Sequence, residues 1–248
     1  IMSYLVRKAD IFLKEWIKNA DRYPLIIKGA RQVGKTETIR RFAKKNYKNV
    51  IEINFITDPA YKSIIEEGFS AESITKIISR IDPSKHFKAG ETLLFFDEIQ
   101  DFPEIATSLK FFKEDGRYDV ICSGSLLGVQ YHRIASISVG AKTDYQMYSM
   151  DFEEFLWAKG YSDRVIAELL EHMLFGTAFS ETEKNIFSNL FLEYCILGGL
   201  PAIVSNYIER NTFEGSLVLQ RQLLTDYEND IIKYAEKDII TAKNTTFR

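Results

Sequence analysis

Eight consecutive residues, Gly29-Ala30-Arg31-Gln32-Val33-Gly34-Lys35-Thr36, have the types and spacing needed to hold a chain of phosphates. They match G-x-x-x-x-G-K-[ST] and lie between a short apolar run, Leu25-Ile26-Ile27, and a helical pattern beginning at Thr36, which is where that motif has to sit. Glycines let the backbone wrap closely, so that successive N–H groups point inward as an anion nest. The helix that starts near Thr36 adds its positive N-terminal end. In this reading residues 29–36 bind the cofactor, Lys35 reaches its β- and γ-phosphates, and the Thr36 hydroxyl ligates Mg²⁺.

A second constellation is Leu93-Leu94-Phe95-Phe96-Asp97-Glu98, an apolar run that ends in two carboxylates. Unpaired carboxylates at the edge of a core are costly, and a cation waiting there offsets the cost. Asp97, at the C-terminal end of a parallel strand, is expected to hold Mg²⁺ opposite Thr36. Glu98 points elsewhere and is the candidate to orient or deprotonate an attacking water. The pair favours hydrolysis over binding alone. A third feature, Cys122-Ser123-Gly124-Ser125, closes the next strand with small polar residues suited to sensing a γ-phosphate; which serine acts stays open.

Elements that position these residues follow from periodicity. Ile11, Phe12, Trp16 and Ile17 recur at helical spacing across 8–20. Strands are expected at 25–27, 49–55, 92–96 and 118–122, with helices at 36–45, 59–67, 73–81 and 103–113. Strands alternating with helices imply a parallel sheet covered by helices on both faces. After Met150 the pattern is helical only, with stripes Val165–Leu174, Ile186–Tyr194 and Phe213–Tyr234. Charge changes at the same place. Residues 1–150 carry 23 Lys/Arg against 19 Asp/Glu, and residues 151–248 carry 9 against 16. The chain therefore reads as an α/β nucleotide-binding domain over 1–150 with an N-terminal helix, and a helical domain over 151–248. The two halves, basic and acidic, are expected to attract, with Phe152, Phe155 and Trp157 at their junction.

At these motifs the chain resembles the bacterial and archaeal AAA-type ATPases of the AAA_14 group, which carry a DUF4143 C-terminal domain. The resemblance rests on the Gly29–Thr36 loop with its Arg-Gln-Val interior and on Phe96-Asp97-Glu98-Ile99-Gln100, similar to the family's Walker B. It also rests on Gly124-Ser125, similar to its sensor segment, on Met150–Leu156, similar to its linker, and on Gly198-Gly199-Leu200-Pro201. The resemblance implies a P-loop NTPase fold of the AAA type followed by a smaller all-helical domain, with ATP as the ligand and Lys35, Glu98 and Ser125 as catalytic residues. It implies further that the DUF4143-like region is incomplete at Arg248 and that a winged-helix-like part lies beyond. No glycine-arginine pair follows the sensor segment, so an arginine finger is unassigned; Arg117 and Arg133 are the candidates.

Composition bounds the remaining classes. Five prolines and 13 glycines in 248 residues exclude collagen-like and Pro/Gly-rich disordered chains. Cys122 and Cys195 are far apart, which suits a reduced, cytoplasmic protein better than a disulfide scaffold. The longest uncharged run of the C-terminal half, Tyr194–Ile208, is 15 residues and is broken by glycines and a proline, too short to span a membrane. No apolar leader precedes the first helix. Arg40, Arg41, Lys44, Lys45 and Lys48 form a charged outer helix face; without interleaved aromatics they are a weak nucleic-acid signal. The leading expectation is a Mg²⁺-dependent ATPase. Its alternatives are an ATP-gated switch with little intrinsic hydrolysis, and a DNA-associated ATPase acting through the C-terminal region. A homo-oligomer and a protein partner are both open, and a small-molecule kinase lacks its arginine-rich lid.

Overall fold

The structure, a computed structural model, describes residues 4–125 and 140–245, with side chains described as far as residue 229. Its chain forms two compact units, one of residues 7–149 and the other of the N-terminal residues together with residues 150 onward.

The first unit is a five-stranded parallel sheet in the order β2-β3-β4-β1-β5, flanked by helices: β1 is Leu25–Lys28, β2 Asn49–Asn54, β3 Thr92–Asp97, β4 Asp119–Gly124 and β5 Thr143–Gln146. The interior strands β1, β3 and β4 carry apolar runs because both of their faces are covered. On one side Leu25, Ile27, Leu93, Phe95 and Ile121 pack with Leu13 and Trp16 of α1 (Lys8–Lys18) and with Ile39 and Phe42 of α2 (Lys35–Asn46). On the other, the alternate residues Ile26, Leu94, Phe96, Val120 and Cys122 pack with Ile74 and Ile78 of α3 (Ala71–Ile81) and with Leu109 and Phe112 of α4 (Ser108–Asp115). Period-two alternation thus sorts β1, β3 and β4 between two cores rather than between core and water.

Three features differ from the sequence expectations. β5 was not anticipated. Its sequence, Thr-Asp-Tyr-Gln, has no apolar run because it is an edge strand, half exposed, paired only with β1 among the described residues. The segments expected as helices at 59–67 and 103–113 open as 3₁₀ turns, Pro59–Ile65 and Pro103–Thr107, with α4 starting at Ser108. Proline is tolerated in these first turns, where it lacks only a donor with no partner to meet.

The second unit is helical, with segments Phe152–Ala158, Asp163–Phe175, Glu181–Leu197, Pro201–Arg210 and Phe213–Thr245. The first is opened by a capping box in which Asp151 accepts from the Glu154 N–H at 2.9 Å while Glu154 accepts from the Asp151 N–H at 3.2 Å. Phe155 is buried with Met150, Leu197, Ile203, Val204 and Tyr207, and Trp157 packs with Leu156, Ile166 and Leu190, all residues of this unit. Gly199 has a steric reason to be glycine: a Cβ there would lie 2.1 Å from the Met150 carbonyl oxygen, and the Gly199 oxygen itself accepts from the Met150 N–H at 2.7 Å. Among the described residues no helix is long and apolar enough to cross a membrane.

Candidate functional site

All five strands run parallel, so their C-terminal ends share one edge, the edge at which open α/β sheets bind ligands. β1 leads into residues 29–34, β3 ends on Asp97, β4 ends before Ser125, and β2 ends on Asn54. Register sets the neighbours: Asn54 lies opposite Asp97, and Lys28 lies opposite Gly124.

The loop after β1 is shaped by its glycines. A Cβ on Gly29 would meet the Met147 carbonyl oxygen at 2.1 Å, so the first glycine is required by the chain leaving β5. Gly34 sits at φ 95° and caps α2, and Gln32 is also left-handed at φ 63°, a conformation uncommon outside glycine. Lys35 and Thr36 open α2. Lys35 is 7% exposed, and its ammonium donates to the carbonyls of Gly29 at 2.9 Å and Ala30 at 2.7 Å, which places it inside the loop. Burial pushes its pKa below the usual lysine value, and the carboxylates of Glu98 and Asp97 act in the opposite direction.

Asp97 is the hub of the site. Only 2% exposed, it accepts at Oδ2 from the Thr36 hydroxyl at 3.1 Å and from the Asn54 amide at 3.2 Å; at Oδ1 it accepts from the Ser123 hydroxyl and from the Glu98 N–H at 3.0 Å. With this many donors the buried carboxylate is held in one orientation. The adjoining Thr36 hydroxyl and Asp97 carboxylate are hard oxygens from two elements, the donor chemistry a magnesium ion takes.

Glu98 has φ 56° and ψ 45°, the left-handed region, which turns its side chain off the line of β3. Its carboxylate accepts from the side-chain amide of Gln100. Gln100, 4% exposed, accepts in turn at Oε1 from the Ser125 N–H at 3.1 Å. The two serines are thereby distinguished: the Ser123 hydroxyl serves Asp97, whereas the buried Ser125 hydroxyl has no hydrogen-bond partner among the described residues.

Of the candidates named from sequence, the structure thus brings Lys35, Thr36, Asp97, Glu98 and Ser125 to one sheet edge, with Gly29, Ala30, Arg31, Gln32, Val33 and Gly34 as the loop beside them. Two residues were missed. Asn54 shows no signal beyond being an amide at the end of a strand; Gln100 was visible only as part of a longer motif. Arg117, a candidate finger, makes a two-pronged pair with Asp115 at 2.7–3.0 Å and stacks on Tyr118. Arg133, the other candidate, lies outside the described residues.

A five-stranded parallel sheet with a phosphate loop after β1 and an acidic terminus on β3 defines the class: a P-loop NTPase fold of the AAA type. The AAA_14 family model, described as an AAA domain, matches residues 21–156, more than half of the chain, and the chain belongs to that family. None of the curated proteins matches it in sequence. Among solved structures it is similar to the Drosophila ORC bound to DNA, with 17% identity over 88% of this chain and 66% of that one and a TM-score of 0.46. It is also similar to the Aeropyrum pernix ORC1 protein in complex with DNA, with 13% identity over 64% of this chain and 50% of that one and a TM-score of 0.41. For C. elegans PCH-2 the values are 9%, 71%, 49% and 0.39. The chain spans about half to two thirds of the length of these structures.

Proposed function

We propose that the protein binds Mg²⁺·ATP at the C-terminal edge of its sheet and hydrolyses it. The observation that carries this reading is the meeting of Thr36 and Asp97 at 3.1 Å beside the buried Lys35 ammonium. In this reading the N–H groups of residues 29–34 and Lys35 hold the phosphates, and Thr36 and Asp97 hold the metal, which shields the developing phosphate charge. Glu98 orients and deprotonates the attacking water. The Ser125 hydroxyl, without a hydrogen-bond partner among the described residues, is the group of choice for the γ-phosphate rather than that of Ser123. We read residues 1–150 as the ATP-binding domain and 151–248 as a helical domain that begins a DUF4143-like region, the latter resting on Gly198–Pro201. ATP turnover is expected to alter the conformation of that domain.

Two observations favour a slow intrinsic rate, the behaviour of an ATP-gated switch: Glu98 is held by Gln100, and Arg117 is engaged by Asp115. The test is phosphate release with ATP, with and without Mg²⁺, DNA and excess protein concentration. Turnover that requires Mg²⁺ is the expected result. Stimulation by DNA would select the DNA-associated reading, stimulation by concentration would select a finger donated between subunits, and Mg²⁺·ATP binding without turnover would leave the switch.

A further inference from the structure

Arg7 is a cation in a place where cations are costly. It is 3% exposed, immediately before α1. One guanidinium nitrogen donates to the Val33 carbonyl at 2.6 Å and the other to the Tyr148 carbonyl at 2.8 Å. Such charge-assisted bonds are short and strong, and the planar guanidinium fixes the angle between them. Both acceptors belong to the main chain, so the fork reads backbone position rather than side-chain identity.

The Val33 carbonyl has a particular value. It belongs to the peptide that joins Val33 to Gly34, at the centre of the phosphate loop and between the left-handed residues Gln32 and Gly34. No peptide here is cis, and in a planar trans peptide the C=O and the N–H point in opposite directions. Holding the Val33 oxygen therefore aims the Gly34 N–H. Withdrawing charge through that carbonyl also strengthens the same N–H as a donor.

The Tyr148 carbonyl has another. The chain passes between its two units at residues 6–7 and again at 149–150. Two residues before Arg7, Leu5 packs against the core of the helical unit; two residues after Tyr148, Met150 is buried in that same core. One side chain is thus bonded to the phosphate loop and stands at one connection while gripping the other.

We propose that Arg7 is a positioning residue for the nucleotide: it aims the Gly34 N–H into the phosphate loop and carries a change in that peptide to both connections between the units. The proposal rests on reading Gly29–Thr36 as the nucleotide loop. Its test compares Arg7→Met, which keeps length and loses both bonds, with Arg7→Lys, which keeps the charge and loses the fork. Amide exchange across 29–36 in the nucleotide-free protein should rise about tenfold in Arg7→Met, the scale of a lost charge-assisted bond. ATP affinity by calorimetry and KM should weaken about tenfold, while kcat at saturating ATP stays close to wild type. The nucleotide-dependent change in exchange across 148–152 should vanish, and Arg7→Lys should fall between on each readout.

Wild-type loop exchange and affinity in a folded Arg7→Met protein would overturn the proposal. So would an equal fall of kcat and affinity that tracks a lowered melting temperature and is fully restored by Arg7→Lys, since packing alone explains that pattern. Wild-type protein that fails to bind ATP would overturn the nucleotide reading only, because exchange in the empty loop still decides what Arg7 does.

Discussion

In the α/β unit a group of polar side chains is hidden at one sheet edge, whereas in the helical unit many apolar side chains are left outside. Asp97, Ser123, Gln100 and Lys35 are all buried at one sheet edge, and each is engaged by at least one hydrogen bond. In the helical unit Met173, Leu174 and Phe175 are exposed, Phe175 by 75%, and Val218, Leu192 and Leu224 are exposed as well. Burying polar groups carries a desolvation cost that only a dense set of partners offsets. A fold accepts it where chemistry is done. An exposed leucine costs little by itself and carries no such information. The contrast shows where to look for function in this molecule: at the hidden polar residues.

The largest effect that would break this contrast is expected at Lys35. Its ammonium lies inside the loop, bonded to the Gly29 and Ala30 carbonyls, and Lys35→Ala should reduce ATP affinity at least about a hundredfold, the scale of losing a charged partner for phosphate. Calorimetry on a variant with wild-type circular dichroism is the measurement; unchanged affinity would remove nucleotide binding from this edge. Next in size is the separation of the two carboxylates. Glu98→Gln should keep Mg²⁺·ATP affinity and lower turnover by at least about a hundredfold, as expected for a lost general base. Asp97→Asn should instead weaken the Mg²⁺-dependent part of binding, and it should also melt earlier, because the carboxylate is the acceptor for Thr36, Asn54, Ser123 and the Glu98 amide. Variants that behaved alike would merge the two roles.

These residues were unequally visible in the sequence, for physical reasons. Asp97 and Glu98 stood out because carboxylates rarely end an all-apolar strand, and Gly29–Thr36 because its spacing is dictated by phosphate geometry. Gln100 and Asn54 did not, since an amide in a turn looks the same whether it is solvated or buried against a carboxylate. Arg7 carried no signal; its partners are backbone carbonyls 26 and 141 residues away, which no local pattern encodes. The strands of the sheet interior were legible as apolar runs. β5 was not, because an edge strand needs only its backbone to pair. In the helical unit the stripes located helices, but the proline-started helix Pro201–Arg210 was hidden in what read as an interrupted apolar run.

A smaller effect sharpens the comparison from the helical side. Phe155, fully buried, should cost about 3–5 kcal/mol when replaced by alanine, the range for removing a core aromatic. Phe175→Ser, at an exposed position, should change stability by no more than about 0.5 kcal/mol. Urea denaturation of the two variants checks both. A large loss at Phe175 would mean that the exposed apolar residues are covered in solution.

The smallest perturbation uses the two cysteines, one in each unit, as reporters. Cys122 lies in β4 at the centre of the sheet, opposite Phe96, and is fully buried; burial pushes its thiol well above the ordinary cysteine range. Cys195 is exposed on the helix Glu181–Leu197. Thiolate is the reactive form, so a buried, protonated thiol should be inert while an exposed one reacts. At neutral pH a maleimide should therefore modify Cys195 within minutes and leave Cys122 untouched until the α/β unit opens. Because Cys122 sits one residue before Ser123, whose hydroxyl is bonded to Asp97, Mg²⁺·ATP should slow its labelling further if nucleotide stabilises that edge, by the factor by which binding favours the folded state. Labelling of Cys122 at the rate of Cys195 would show that the sheet interior opens readily, and the contrast between a closed α/β unit and an open helical one would not hold. Protection of Cys122 that Mg²⁺·ATP leaves unchanged, at a nucleotide concentration shown to saturate binding, would confine the ligand's influence to the loop and α2.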